Sequence, residues 1–172
     1  MKRHLLATIA RGEAEQQRGG DSYLAGPEIE PYLSVLRDAL NRNGSTDIYS
    51  DTTRGFNWCC SFVYYCCLKA GFRFPPKPIE SYRYTLGAVP AWHHWASSGG
   101  FYYLVHTTTP EIGDIALFKY VSDNNPFDHI GIILDVTSDG VICAEGNNLN
   151  KTGIFSRPFS DIDGYVRIPE NA

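Results

Sequence analysis

The spacing of apolar positions predicts helices in the N-terminal half of the chain. Between Pro27 and Gly44, apolar residues recur at intervals of four and three, which is the spacing of one helix face. They are Ile29, Leu33, Leu36 and Leu40. Pro27 suits an early helical position, and Asn43–Gly44 is a stop signal. Helices are predicted likewise at residues 4–17 and 58–70, with short helices within residues 79–97.

Short apolar runs of strand length replace this pattern after the turn Ser98–Gly99–Gly100. Strands are predicted at residues 101–105, 115–120, 130–136, 141–145 and 165–168. Because the helices come first and the strands follow, the order indicates an α+β fold and not alternating βαβ units. We expect one domain over residues 1–172, with a helical lead-in at 1–50 and a core at 51–172.

Composition narrows the class of protein. Of 172 residues, 43% are hydrophobic and 20% are charged, as in a globular chain that can bury a core. Lys and Arg number 15 against 19 Asp and Glu, so the formal charge is −4 and no basic surface for nucleic acid is expected. No apolar run approaches the roughly 20 residues of a membrane span. We therefore expect neither a nucleic acid nor a membrane as partner.

Four of the five cysteines lie between residues 59 and 67. On one helix, Cys59 and Cys66 would be about 10.5 Å apart along the axis, whereas a disulfide requires Cα atoms within about 7 Å. The odd count also argues against a closed disulfide framework, so reduced thiols are expected. The spacing C-C-x5-C-C is not that of a zinc knuckle. Adjacent His93 and His94 diverge on a helix, and we expect no metal and no cofactor.

Cys59 has the position of a nucleophile. It would lie in the first turn of a helix capped by Asn57, where the free N–H groups make a thiol more acidic and can hold an oxyanion. A nucleophilic cysteine needs a base, and His129 is the best placed of five histidines because it begins a strand after a loop at 122–128. The alternative is that Cys59 is a small buried core residue.

The partner of His129 depends on strand register. If residues 138–140 form a three-residue turn, Thr137 pairs with Val141 and odd-numbered residues of both strands share a face. His129, Glu145 and Asn147 then lie on that face. Asn147 would be the diagonal neighbour of His129, and Glu145 would be one step further unless a bulge intervenes. Both residues remain candidates on the spacing alone.

Four short motifs occur in order along the chain. They are WCCSFV at 58–63, PEIGDIALF at 110–118, HIGII at 129–133 and CAEGN at 143–147. Together they resemble the CHAP domain, whose name abbreviates cysteine, histidine-dependent amidohydrolase/peptidase. The resemblance implies a papain-like fold in which N-terminal helices pack on an antiparallel sheet of about five to six strands. It also implies Cys59 as nucleophile, His129 as base, Glu145 as the third catalytic residue and Asn147 in support.

The resemblance implies a cysteine hydrolase that cleaves amide or peptide bonds, foremost those of peptidoglycan. Alternatives are an amidase or acyltransferase acting on a small-molecule or protein amide, and a non-catalytic binding module on the same fold. Calcium-binding members of the family carry an acidic loop before the cysteine, which Asp47 and Asp51 do not reproduce. No oligomeric state follows from the sequence.

Two further expectations concern the substrate and the location. Trp58, Trp92 and Trp95 are candidates for the wall of a substrate groove, with core packing as the alternative. The basic start Met1–His4 precedes an apolar run of six residues, which is shorter than the roughly 7–15 of a signal peptide. An amphipathic helix is therefore favoured, and we expect a chain that is cytoplasmic as synthesised, with release or delivery to the cell wall as a later step.

Overall fold

The computed structural model describes residues 1–121 and 126–172, and within them four helices precede six strands. The helices are α1 (Lys2–Glu15), α2 (Glu30–Gly44), α3 (Cys59–Lys69) and α4 (Val89–Gly99). The strands are β1 (Tyr102–Leu104), β2 (Ile115–Lys119), β3 (Pro126–Val136), β4 (Gly140–Asn148), β5 (Lys151–Pro158) and β6 (Ile162–Val166). Short 3₁₀ segments lie at Ile48–Ser50 and Phe159–Asp161.

The strands form one open antiparallel sheet in the order β1-β6-β2-β3-β4-β5. The helices cover one face, where they share a large apolar core with alternate residues such as Ile115, Leu117 and Ile132. The intervening residues, such as Ala116, face a smaller apolar cluster on the other side. The predicted α+β fold class is therefore confirmed.

The sequence predicted no strand at β5, and it predicted more helices than the structure has before β1. Of the β5 residues only Thr152 is fully buried, because β5 is the outer strand of the sheet and no alternation of apolar residues marks it. Residues 79–97 contain one helix rather than several, and it begins at Val89 with Pro90 in its first turn. Of the predicted loop at 122–128, residues 122–125 lie outside the described part, and 126–128 already belong to β3.

The N-terminal helices pack behind α3. The buried face of α1 is made mostly of alanines, which let the helix approach α3 and the sheet closely. In α2, the Tyr32 ring stacks on Trp58, with ring centroids 5.7 Å apart and planes 9° apart. The Tyr32 hydroxyl donates to Glu13 of α1 at 2.8 Å. Residues of the lead-in thus belong to the same apolar core as α3.

An ionic network joins the two ends of the chain to the sheet. The Asp114 carboxylate is fully buried and accepts hydrogen bonds from Arg167 Nε at 3.0 Å and Nη2 at 2.8 Å. Arg3 of α1 lies 3.4 Å from the same carboxylate, and the Glu111 amide donates to it at 2.8 Å. The buried charge is stable because each of its oxygens has charged or backbone donors.

We expect Asp114→Asn to lower the free energy of unfolding by about 3 kcal/mol, because the neutral amide leaves the guanidinium groups of Arg167 and Arg3 without the fully buried carboxylate that they share. Urea denaturation at neutral pH measures this. The matched control is Asp38→Asn, which breaks the exposed pair Asp38–Arg42 and should leave the free energy of unfolding nearly unchanged. A loss for Asp114→Asn no larger than that of the control would contradict the prediction.

Candidate active site

Cys59 is the first residue of α3, and its backbone environment favours a negative charge. The first hydrogen bond of the helix joins the Phe62 N–H to the Trp58 carbonyl at 3.0 Å. The N–H groups of residues 59–61 therefore have no acceptor within the helix. The helix has no side-chain cap and its N-cap is Trp58, so the prediction of Asn57 as cap is wrong. The uncapped N–H groups remain available to an anion.

Trp58 fixes where this helix begins. Its ring is fully buried against Tyr32, and its Nε1 donates to the Asn150 carbonyl oxygen Oδ1 at 3.1 Å. Asn150 in turn donates to the Asp21 backbone carbonyl at 2.8 Å. The start of α3 is thus held both by the N-terminal lead-in and by the turn between β4 and β5.

His129 lies on β3 with its ring almost completely buried. Its Nε2 is 2.9 Å from Glu145 Oε2, and its ring stacks on Phe118 at a centroid distance of 5.9 Å. The Cys59 thiol is a second hydrogen-bond partner of the imidazole. Because Nε2 faces the carboxylate, Nδ1 is the nitrogen left for the thiol. The structure therefore brings Cys59, His129 and Glu145 together in one chain of contacts.

The register of the β3–β4 hairpin differs in two places from the register expected from the sequence. The structure pairs Val141 with Val136 and not with Thr137, which shifts the register by one residue. A bulge further along the hairpin shifts it by one more, so that Ile133 lies opposite Cys143. Two shifts of one residue restore the original face, so odd-numbered residues of both strands still point the same way.

Glu145, and not Asn147, is the hydrogen-bond partner of His129 in the structure. Continued one pair beyond the last regular one, the register sets Glu145 across from Gly131 and hence diagonally from His129. Asn147 instead has a left-handed backbone (φ 58°) and lines a small cavity next to His129. Asn148, which the sequence analysis did not single out, donates to Glu145 Oε2 at 3.1 Å.

Gly131 on the neighbouring strand β3 makes room for Glu145. A Cβ at Gly131 would lie 2.9 Å from Glu145 Cγ, closer than a real Cβ contact allows. On the other side, Gly153 of β5 is the direct pairing partner of Glu145. A larger residue at position 131 would displace the carboxylate from its place beside His129.

Arg157 of β5 forms a bidentate ion pair with Glu145, which the sequence analysis missed because β5 was not predicted. Arg157 Nε lies 2.8 Å from Oε1 and Nη2 lies 2.7 Å from Oε2. Burial alone would raise the pKa of Glu145, but the hydrogen bonds from Arg157 and His129 lower it below its ordinary value. Glu145 is therefore a carboxylate although it is fully buried.

The thiol and the imidazole shift each other's pKa in opposite directions. A hydrogen bond from the Cys60 thiol contributes most to lowering the pKa of Cys59, burial opposes it, and His129 lowers it further, to about 5. Burial would lower the pKa of His129, but its hydrogen bonds to Cys59 and Glu145 outweigh burial and raise it to about 9. Between these pH values Cys59 is a thiolate and His129 an imidazolium.

The other four cysteines are free thiols that burial makes less acidic. Burial raises the pKa values of Cys60, Cys66, Cys67 and Cys143. Only Cys59 among the cysteines combines a lowered pKa with a position next to a histidine, so it is the one nucleophile that these thiols offer.

One cavity reaches the Cys59 thiol and another reaches the His129 imidazole. Cys59 lines the larger, of about 740 Å³, together with Asn57, Cys60, Tyr84, residues 87–90 and residues 126–128. His129 lines the smaller, of about 200 Å³, together with Val121, residues 147–149 and Arg157. Neither lining includes a described residue of α1 or α2, so in this structure those helices support α3 from behind and do not cover the cleft.

The three tryptophans proposed for the groove occupy other places. Trp58 and Trp92 are fully buried, and Trp92 Nε1 donates to the Leu86 carbonyl at 2.9 Å. Trp95 is half-buried and packs on Phe74, with ring centroids 4.6 Å apart. Core packing therefore accounts for Trp58 and Trp92, which have no exposed surface for a ligand, and this corrects the expectation of a substrate-binding role for them.

Within residues 1–121 and 126–172, no three His, Cys, Asp or Glu side chains are grouped so that they could hold a metal ion. In the same part of the chain, no helix has both the length and the apolar character needed to cross a membrane.

Comparison with known proteins identifies one family. Residues 51–148, more than half of the chain, match the family model of the CHAP domain. The match includes Cys59, His129 and Glu145 and ends before Arg157. A search of the curated proteins found no match. A search of the solved structures also found none.

We expect Cys59 to react with iodoacetamide at a lower pH than any other cysteine of the native protein. Its rate should rise through about pH 5 as the thiolate forms, whereas a free thiol requires a pH near 8.5. Mass spectrometry of peptides after timed labelling gives each cysteine its own rate, so the four buried thiols are internal controls. A rate at Cys59 that rises only near pH 8.5 would contradict the lowered pKa.

We expect Gly131→Ala to move the onset of Cys59 labelling to higher pH, because the new methyl group would push Glu145 away from His129. The same labelling experiment measures the shift. Gly12→Ala is the matched control, since a Cβ on this exposed helical glycine meets no atom within 4 Å. An onset in Gly131→Ala equal to that of the control would show that Glu145 tolerates the methyl group.

Proposed function

The chain belongs to the CHAP domain family, and from that premise we propose that it is a cysteine amidohydrolase or peptidase acting on peptidoglycan. The family is generally hydrolytic towards amide and peptide bonds and is often associated with the cell wall. The observation that carries the proposal is the contact of His129 with both the Cys59 thiol and, at 2.9 Å, the Glu145 carboxylate. Cysteine, histidine and an orienting acceptor are the parts that thiol catalysis needs.

Acylation begins with the Cys59 thiolate. Its sulfur attacks the carbonyl carbon of the scissile amide, and the C=O electron pair moves to the oxygen, where free N–H groups at the start of α3 stabilise the negative charge. When this intermediate collapses, the C–N bond breaks and the His129 imidazolium gives its proton to the leaving amine. The product is a thioester on Cys59 and a neutral His129.

Deacylation reverses the roles. Neutral His129 takes a proton from water, whose oxygen attacks the thioester carbon. The C–S bond then breaks, the acid leaves, and the thiolate–imidazolium pair is restored. Glu145 keeps the imidazole oriented and stabilises its positive charge in both steps, as the third member of a catalytic triad does.

The cleft supports a peptide-like substrate. Its larger cavity, about 740 Å³, lies within the usual range of about 300–1,000 Å³ for ligand sites. Tyr84, Val89 and Phe127 give it apolar walls, and Asp128 adds a charged group. Such a cavity suits a few residues of a stem peptide or cross-bridge, with the amine side of the bond towards the smaller cavity.

We expect Cys59→Ala to lower the hydrolysis of purified sacculi by at least about 10³-fold, as removal of a nucleophile does in enzymes of this kind. Labelling of newly formed amino groups and mass spectrometry of released fragments measure the activity. Cys66→Ala is the matched control because Cys66 is buried on the same helix away from the cleft, and it should retain activity.

Equal hydrolysis by wild type and Cys59→Ala would show that this thiol is not the nucleophile. If wild type releases no fragment or amine from sacculi, peptidoglycan is not its substrate. Addition of amine acceptors to the reaction would reveal transfer in place of hydrolysis, because the thioester would then yield a new amide.

A further inference from the structure

Arg157 contacts Glu145 in a way that differs from the other partners of this carboxylate. It binds both oxygens at once, at 2.8 and 2.7 Å, whereas His129 and Asn148 bind only Oε2. A bidentate arginine fixes the plane of a carboxylate as well as its position. The plane of Glu145 in turn sets the direction in which Oε2 faces His129.

Two aromatic rings hold the guanidinium in place. The Arg157 guanidinium carbon lies 5.2 Å from the Phe118 ring centroid and 5.7 Å from that of Phe155. Phe118 also stacks on the His129 ring. One phenyl ring therefore supports both ends of the contact chain from Arg157 through Glu145 to His129, and the arginine side chain is only 15% exposed.

From this geometry we infer that Arg157 is a positioning residue of the active site, which holds Glu145 in the orientation that directs His129 towards Cys59. The inference rests on the proposed function for its role in turnover. It adds a fourth residue, from a strand beyond the family match, to the three that the family match includes.

The charges of the site give Arg157 a second effect. With Arg157, the buried group is neutral both before and after the proton passes from Cys59 to His129, because Arg157 balances Glu145. Without it, the same group would carry one net negative charge in either state. Burial would then raise the pKa of Glu145, and a protonated Glu145 would no longer stabilise the imidazolium, so the arginine favours the ion pair through Glu145.

Other titratable groups face these residues. Glu145 faces Cys143 of its own strand besides His129 and Arg157. Arg157 also interacts with Asp161, and Cys59 with the Cys60 thiol. Cys60 and Cys143 remain protonated because burial raises their pKa values. The response of Cys59 to the loss of Arg157 is therefore expected to arise through Glu145 and His129.

The test compares Arg157→Met with Arg167→Met in the full chain. Arg167 forms an equivalent bidentate pair with a fully buried carboxylate, Asp114, and its side chain is similarly buried at 18% exposed. Circular dichroism and thermal unfolding establish that each variant is folded. Iodoacetamide labelling of Cys59 against pH is the main readout, because it needs no substrate, and hydrolysis of sacculi is the second.

In Arg157→Met, we expect the onset of Cys59 labelling to rise by about one pH unit, since Glu145 loses its main hydrogen-bond donor and no longer stabilises the His129 imidazolium. Arg167→Met should keep the wild-type onset. Arg157→Lys keeps the positive charge but cannot donate to both carboxylate oxygens in the fixed geometry of arginine. Labelling of Cys59 should therefore begin close to the wild-type pH, but hydrolysis should be about tenfold slower.

Glu145→Gln supplies the decisive comparison. If Arg157 acts through Glu145, adding Arg157→Met to Glu145→Gln should shift the onset no further. Equal onsets in Arg157→Met and Arg167→Met, or fully additive shifts in the double variant, would overturn the inference. If Arg157→Met does not fold, Arg157→Lys takes its place. Its effect on the rate of hydrolysis is then compared between the wild-type protein and Glu145→Gln. A wild type that labels at low pH but hydrolyses nothing would refute the proposed function and leave the labelling test of Arg157 intact.

Discussion

The buried charge of Glu145 is the constraint on which the half of the sheet around the candidate active site depends. A carboxylate without water is stable only when charged or polar donors occupy its oxygens, and here Arg157, His129 and Asn148 do so. One local feature follows from this requirement. Strand β3 carries glycine at position 131, where a Cβ would collide with the Glu145 side chain. The contacts that stabilise the charge of Glu145 thus include the one that orients the His129 imidazole.

The Cys59 thiol reaches this arrangement from a separate element. Helix α3 begins at Cys59 because Trp58 is buried between Tyr32 and the turn after β4. The lead-in helices therefore contribute to the site without lining it: their packing sets where α3 starts, and that start sets the position of the thiol. A small displacement of the helix would separate the thiol from His129, which is why the supporting core matters to the chemistry.

Backbone strain is concentrated where the cleft is formed. Five of the described non-glycine residues with a left-handed backbone border it or lie in the adjoining turns: Tyr120, Phe127, Asn147, Leu149 and Asn150. Phe127 forms part of the larger cavity wall, and Asn147 and Leu149 form part of the smaller. Such conformations cost free energy and persist because the surrounding contacts enforce them, which is common at functional sites. The hydrogen bond from Trp58 to Asn150 is one such contact.

The sequence alone determined the order of helices before strands, a helix that begins close to Cys59, and the pair Cys59 and His129, because apolar periodicity and short motifs are local properties. It left open whether Glu145 or Asn147 contacts His129, since a shift in the turn and a bulge further along decide the register. It also missed Arg157, because β5 is a marginally buried outer strand whose pattern carries no strand signal. Whether a tryptophan lines a groove or fills a core, as Trp58 and Trp92 do, depends on contacts between distant elements. Only the tertiary structure decided these points, because each depends on residues far apart in the chain that pack together.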